Sequence, residues 1–323
     1  MKAIVCTKYG PPEALVLKDV ARPVPKDDEV LIRIHATSVT ASDALIRAMD
    51  QNLAMRCLLQ AIFGFGRPRR PILGMTLSGE VAEVGRKVTA FLPGDKVFAY
   101  GSKSATVRRF GSYAEYLCLP EDWHLLPKPA NLTHVAAAAL PYGGFLAWHC
   151  VRTRGDVRRG QRVLVYGASG SIGTMAVQLA KHAGAAHVTA VCSGKNADLV
   201  TSLGADEVLD YTRDDAVAAL EQEGRAYDVV IDAVGNTKTS PLKVAARKAV
   251  TKGGQYVGID DDVPATPREV FVRLRELAEG GHLAPVIDRS FPLEEMARAH
   301  AYVDAGHKAG NVAIAVTDRA EER

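Results

Sequence analysis

Arg162-Val163-Leu164-Val165-Tyr166-Gly167-Ala168-Ser169-Gly170-Ser171-Ile172-Gly173 is the stretch that decides the fold. A β-type apolar run meets three glycines spaced three apart, and the text continues at helical spacing through Met175, Val177, Leu179 and Ala180. Strand, glycine turn and helix in that order read as the phosphate-binding start of a βαβ unit. Glycine lets the backbone approach a pyrophosphate with no side chain between them. The following helix offers unpaired N–H groups and the positive end of its dipole. Gly167, Ala168, Ser169, Gly170, Ser171, Ile172 and Gly173 are therefore expected to cradle a dinucleotide; a tight turn without a ligand is the plainer reading.

Working outward from that turn, strands are expected at 162–166, 187–192, 207–210, 228–232 and 254–259. Helical stretches at 171–183, 195–203, 213–222 and 238–251 alternate with them. That alternation predicts an α/β, doubly wound parallel sheet. From residue 1 to about 124 the text instead alternates short β-like runs with Gly and Pro, as in Glu29-Val30-Leu31-Ile32-Arg33-Ile34-His35, and β-type segments return from about Ala284. Asp43 to Phe65 interrupts the first part with helical spacing of Leu53, Met55, Leu58, Leu59, Ile62 and Phe63. Such a stripe predicts core packing, with a lid over a ligand as the sharper reading.

Composition sets outer limits. In 323 residues, 47% hydrophobic and 24% charged describe a globular chain long enough for two cores. No apolar run approaches the ~18 residues of a membrane span, and an early second lysine leaves no signal-peptide core, so a cytoplasmic protein is expected. A net charge of +3 gives no reason to expect nucleic acid as an obligatory partner. Arg67, Arg69 and Arg70 form one basic knot, read as a solvated loop or as an anion-attracting rim. The five cysteines, at 6, 57, 118, 150 and 192, form no Cys-x-x-Cys pair and no disulfide framework.

An NAD site carries an acid about twenty residues past the last glycine, where it binds the ribose hydroxyls. Here Val191-Cys192-Ser193-Gly194-Lys195-Asn196 has no acid. Ser193, Lys195 and Asn196 supply a hydroxyl, an ammonium and an amide instead, which favours the extra phosphate of NADPH. Lys195 as a plain exposed helix-start residue is the alternative.

The chain resembles the zinc-free quinone oxidoreductase branch of the medium-chain dehydrogenase/reductase superfamily. The resemblance rests on Met1-Lys2-Ala3-Ile4-Val5, Gly94-Asp95-Lys96-Val97, Leu140-Pro141-Tyr142-Gly143-Gly144, the glycine turn, Leu203-Gly204-Ala205-Asp206 and Gly306-His307-Lys308-Ala309-Gly310-Asn311-Val312, in that order. It implies a GroES-like β-barrel catalytic domain from residues 1–125 and 284–323, a Rossmann NAD(P)-binding domain over 126–283, and a cleft between them. It also implies that Val234, Gly235, Gly258 and Ile259 lie along the nicotinamide half of the cofactor. Tyr211 would flank the adenosine phosphate, and Lys308 and Asn311 would reach the cofactor from the catalytic domain.

In the zinc enzymes of this superfamily the metal ligands fall on positions that read here Thr40, Met75 and Tyr142, so no metal is expected. Without a Lewis acid, the implied chemistry is reduction by NADPH of a small hydrophobic acceptor, a quinone or an α,β-unsaturated carbonyl. Its oxyanion would be met by a hydrogen-bond donor. Thr40, Tyr142 and Ser42 are candidate donors, and Asp43 matches the branch's acid in this segment. Two departures stand out: no tyrosine occurs between Tyr9 and Tyr100, and Leu146 takes a place that is usually polar. An alcohol or aldehyde dehydrogenase and a redox-silent NADPH-binding protein stay open as alternatives.

The sheet itself carries one more expectation. Asp260-Asp261-Asp262-Val263-Pro264-Ala265 is too short and too acidic for a sixth strand before a helix starting near Pro267. A five-stranded sheet is predicted, its last strand a bare edge guarded by the three aspartates, with a homodimer, if one forms, using that strand or another surface.

Overall fold

The structure is a computed structural model that describes residues 1–322 except 105, 106, 110, 223, 224, 236–238 and 263. Lys238, Val263 and Arg323, named above or used as boundaries, lie outside the described residues. The chain opens with β1 (Lys2–Cys6), β2 (Leu15–Asp19) and β3 (Glu29–Val39), then α1 (Ala41–Ala48) and α2 (Leu53–Phe63). Next come β4 (Thr76–Val84), β5 (Lys96–Tyr100), β6 (Tyr116–Pro120), β7 (His124–Pro127) and α3 (His134–Trp148). The middle alternates β8 (Arg162–Tyr166), α4 (Ser171–His182), β9 (His187–Cys192), α5 (Ala197–Ser202), β10 (Glu207–Asp210), α6 (Ala216–Leu220), β11 (Tyr227–Asp232), α7 (Pro241–Lys248) and β12 (Val250–Gly258). α8 (Arg268–Glu279), β13 (Ile287–Pro292), α9 (Met296–Asp304) and β14 (Asn311–Ala315) close it. Among the described residues no helix is long and apolar enough to cross a membrane.

Packing divides the chain into two units, the first made of Met1–Tyr142, Ala265–Glu279 and Ile287–Arg323, the second of Gly143–Pro264 and Gly280–Val286. The first unit is built on a seven-stranded sheet in the order β13-β14-β3-β4-β5-β7, with β6 also paired to β3, and on the antiparallel pair β1-β2. Its axis is β3, whose alternating Val30, Ile32 and Ile34 enter one core with Leu77, Val97 and Leu125. α8 falls inside the stretch 126–283 of the sequence boundaries yet groups with the first unit. Phe271 on it stacks at 5.4 Å from Tyr100 and 4.8 Å from His124, between centroids.

The expected helical stripe of 43–65 is two helices. Met49 takes a left-handed φ of 49° and ends α1, and the Asn52 side chain accepts from the Met55 N–H to start α2. The core-packing expectation fails for α2, where no residue is buried and Leu53, Met55, Leu58 and Ile62 face solvent. Only Leu59 and Phe63 lean on the core.

In the second unit the parallel order is β10-β9-β8-β11-β12, with the sequence of strands reversing direction between β8 and β11. No sixth strand is drawn from the described residues of 260–282, because 268–279 are helical. The expected helices 195–203, 213–222 and 238–251 contract to α5, α6 and α7. Ser240 caps Lys243 N–H ahead of Pro241, fixing the start of α7, while Val250 already pairs with Tyr227 as sheet. Two of the three aspartates are engaged in the loop after β12 rather than along its edge. Asp261 accepts from Gly258 N–H at 2.7 Å, and Asp262 pairs with His149 at 2.8 Å and Arg154 at 2.6 Å, so they order the loop after the strand.

β3 and β4 hold their spacing through Gly79, where an added Cβ would stand 2.1 Å from the Arg33 carbonyl oxygen. That contact is backbone on backbone, so neither side can yield by changing rotamer. Gly79→Ala is expected to destabilise the protein by about 1–3 kcal/mol, the usual range for overpacking. Urea unfolding with an unchanged midpoint would contradict it.

Candidate active site

Each glycine of the deciding turn has its own physical task in the second unit. Gly167 takes φ +79°, and a Cβ there would meet Val234 Cγ2 at 2.6 Å. Gly173 sits so close to the turn that a Cβ would lie 2.1 Å from Gly167 O. Gly170 has nothing nearer than 3.5 Å and caps α4 with no side chain bonded to its first N–H groups. The turn thus leaves its middle open and spends its outer glycines on close packing. Gly167, Ser169, Gly170 and Ser171 are partly exposed, while Ala168, Ile172 and Gly173 are buried and act by packing. A pyrophosphate fits this helix start by size and by charge.

The neighbouring strand ends converge on the same edge of the sheet. Asn196 donates through Nδ2 to Ser169 Oγ at 3.0 Å, tying the loop after β9 to the glycine turn. Ser193 and Lys195 stand beside it, Lys195 exposed. Tyr211 is 53% exposed just past β10, its N–H donating to Cys192 O. Asp210 was missed by the search for an acid after β9, because it arrives from the next strand. Its carboxylate accepts from Thr212 N–H at 3.0 Å and Thr212 Oγ1 at 2.7 Å, and these bonds lower its pKa.

Val234 and Gly235 owe their position to Asp232, which the sequence reading also missed. This buried carboxylate at the end of β11 accepts from Val234 N–H at 3.0 Å and Gly235 N–H at 3.2 Å. Lys243 of α7 pairs with it at 2.6 Å, and the Tyr256 hydroxyl of β12 donates to it at 2.8 Å. Three elements are locked on one charge. The available signal was an aspartate closing an apolar strand and followed by Ala-Val-Gly. Gly258 N–H goes to Asp261, and Ile259 N–H donates to Asp232 O at 3.1 Å.

The first unit carries the other candidates. β3 ends at Thr40, which caps α1 in a full capping box: Asp43 N–H donates to Thr40 Oγ1 at 3.1 Å while Thr40 N–H donates to Asp43 Oδ2 at 3.1 Å. The Thr40 hydroxyl donates to the same Asp43 oxygen at 2.6 Å. As a donor it is already committed. Burial pushes the fully buried Asp43 up to about 6, partly opposed by the bonds from Thr40 and by the Gly74 backbone and Tyr113 hydroxyl. Tyr142, 9% exposed, lies with its hydroxyl 3.1 Å from Ser42 Oγ.

Near the chain's end, Val312 pairs with Val39, which brings the buried Asn311 beside the start of α1. Lys308 donates to Gly310 O at 2.7 Å, and burial lowers its pKa to about 8.

Among the described residues no cluster of three His, Cys, Asp or Glu side chains could hold a metal. At the three positions singled out by sequence, Thr40 is bonded to Asp43, Met75 offers a buried thioether, and Tyr142 shares its hydroxyl with Ser42. A hydroxyl, a thioether and a phenol do not make a zinc shell.

Comparison with known proteins fits the two-unit α/β fold. The alcohol dehydrogenase GroES-like domain family matches residues 26–130, and two zinc-binding dehydrogenase families match 171–271 and 262–314. The mitochondrial NAD(P)H oxidoreductase RTN4IP1 of Bos taurus is 32% identical over 98% of this chain and 89% of its own. The chain belongs to the medium-chain dehydrogenase/reductase superfamily. A second member, the chloroplastic NADPH-dependent alkenal/one oxidoreductase of Arabidopsis thaliana, is 32% identical over 97% of this chain and 79% of its own. Among solved structures of the superfamily, an NAD-dependent alcohol dehydrogenase superposes with a TM-score of 0.83 at 27% identity, covering 98% of this chain and 100% of that one. The quinone oxidoreductase from Coxiella burnetii gives 0.78 at 27%, covering 98% and 99%. The protein is accordingly an oxidoreductase of the medium-chain type.

Asp43 gives this site a pH signature. A carboxyl whose pKa is higher folded than unfolded binds its proton more tightly in the native state, so stability falls as pH rises between the two values. A move from 3.8 to about 6 corresponds to about 3 kcal/mol. Relative to Asp43→Asn, the protein is expected to lose up to that amount between about pH 4 and pH 6, and no more above. Parallel pH profiles of the two proteins in denaturant unfolding would refute this.

Proposed function

We propose that the protein reduces quinones or α,β-unsaturated carbonyl compounds with NADPH and without zinc. The observation that carries the reading is the fate of the three inherited metal positions. Thr40 is consumed as a helix cap, Met75 is buried, and Tyr142 remains with Ser42 as a pair of hydroxyls. A site with hydroxyl donors and no Lewis acid suits a reaction that builds negative charge on an acceptor oxygen.

NADPH, when bound, supplies the hydride. The chain's own residues do the rest. The open start of α4 receives the pyrophosphate, the Asp232 network fixes the Val234–Gly235 turn, and Tyr142 donates a hydrogen bond to the oxygen that gains charge. Ser42 aligns that hydroxyl and supplies the next link for a proton from solvent. NADPH preference is supported by Lys195 and by the absence of an acid from 191–196. The named activity of the Arabidopsis thaliana relative points the same way.

The test is NADPH consumption, followed by absorbance, with a panel of small quinones and enones in a strong chelator. Turnover that persists in chelator is expected, and Tyr142→Phe should lower kcat by about a hundredfold, the scale of one lost oxyanion donor. Alcohol oxidation that disappears with chelator would establish the dehydrogenase alternative instead. Tight NADPH binding with no turnover on the whole panel would establish the redox-silent one.

A second experiment addresses the cofactor. Lys195→Ala combined with Ser193→Asp removes one cation and adds one anion where the ribose phosphate would lie. NADPH is expected to bind about ten- to a hundredfold more weakly, and the preference to move towards NADH. An unchanged ratio of the two affinities would sink the assignment of this loop.

A further inference from the structure

The first unit contains a pocket of about 200 Å³ whose walls combine apolar side chains with cations. Ile62, Phe63 and Leu73 supply the apolar part; Arg69, Arg70 and Arg108 supply the charge. No aspartate or glutamate lines it among the described residues. The surrounding sequence has the same bias, since Gln51 to Gly79 contains Arg56, Arg67, Arg69 and Arg70 and not one acid.

These arginines are held in place rather than left waving in solvent. Arg69 donates from its backbone to Phe63 O at 2.7 Å and from Nη2 to Ala61 O at 3.1 Å. Arg70 donates through Nη1 to Arg108 O at 3.2 Å, and Arg108 lies over the Phe63 ring, 5.4 Å from its centroid. Arg108 Nε is buried with no hydrogen-bond partner. Burial lowers the pKa of both Arg70 and Arg108, and Arg109 adds repulsion at Arg70. Gathering like charges around an apolar pocket, one of them with an unused buried donor, is a cost that a bound anion offsets. Arg108 lies within electrostatic reach of Tyr142 and Asp43 in the same unit.

We infer that this pocket receives a carboxylate on the acceptor, with Arg108 and Arg70 gripping the anion and Ile62, Phe63 and Leu73 covering the carbon chain beside it. The preferred acceptor is then an acid-bearing enone or quinone rather than a neutral one. The inference rests on the proposed reductase activity only in calling the ligand an acceptor. A guanidinium fork matches a carboxylate bidentately, and the small apolar volume suits a short chain better than a bulky phosphorylated carrier.

Two measurements separate the pocket from the reaction. Calorimetry with hexanoate and with methyl hexanoate reads the pocket alone, and kcat/KM for a vinyl ketone bearing a terminal carboxylate, against its methyl ester, reads the acceptor. Hexanoate is expected to bind and the ester not. The acid should be reduced with kcat/KM about ten- to a hundredfold above the ester, as for a charge-assisted contact. Arg108→Met keeps the packing over Phe63, and Arg70→Gln alters an exposed side chain. Each should weaken hexanoate at least tenfold and shrink the acid-to-ester ratio by a similar factor, while Arg108→Lys should recover part of both.

Absence of hexanoate binding would overturn the inference. So would an ester reduced as well as the acid, and that result would leave the reductase reading intact. Hexanoate binding that the arginine variants abolish, in a protein that turns over no member of the quinone and enone panel, would uphold the pocket and overturn the reductase reading.

Discussion

Gly167 O and the α-carbon of residue 173 approach so closely that any side chain at 173 would collide with the turn, and the second unit is organised around that contact. It draws the start of α4 up against the end of β8. The helix dipole and the open floor at Gly170 are thereby aimed at one spot on the carboxyl edge of the sheet. The other strand ends acquire their meaning from this point. The Asn196 bond to Ser169 draws in the loop after β9, and the Val234 side chain packs over Gly167 from β11. A parallel sheet whose strand order reverses beside its first strand leaves a crevice there, and the glycine turn floors it.

Much of this was legible in the sequence because it depends on local rules. Glycine spacing, strand periodicity and the missing acid at 191–196 are read within windows of a few residues, and the five strands appear where those windows put them. Asp232 and Asp210 were not legible in the same way. Lys243 and Tyr256 reach Asp232 from other elements, and Asp210 comes beside the loop after β9 only because β10 pairs with β9. The helix ends failed for a related reason: capping by Ser240 and pairing of Val250 compete with helical periodicity and win.

α2 shows the opposite error. Its apolar spacing satisfied the rule for a core helix, yet no residue of it is fully buried and only Leu59 and Phe63 pack against the core. Periodicity reports that one face is apolar; it does not report what covers that face. The basic knot that follows α2 keeps its solvated character, since Arg67, Arg69 and Arg70 are exposed. Arg69 and Arg70 also reach backbone carbonyls of Ala61 and Arg108.

The capping box at Thr40 also constrains what this lineage can become. Thr40 Oγ1 both caps α1 and donates to a buried carboxylate, so replacing it with a sulfur ligand would remove the helix cap and strip Asp43 of its shortest bond in one step. The Thr40–Asp43 pair thus works as a ratchet: once the position serves the fold, any other side chain there has to be carried by a less stable protein.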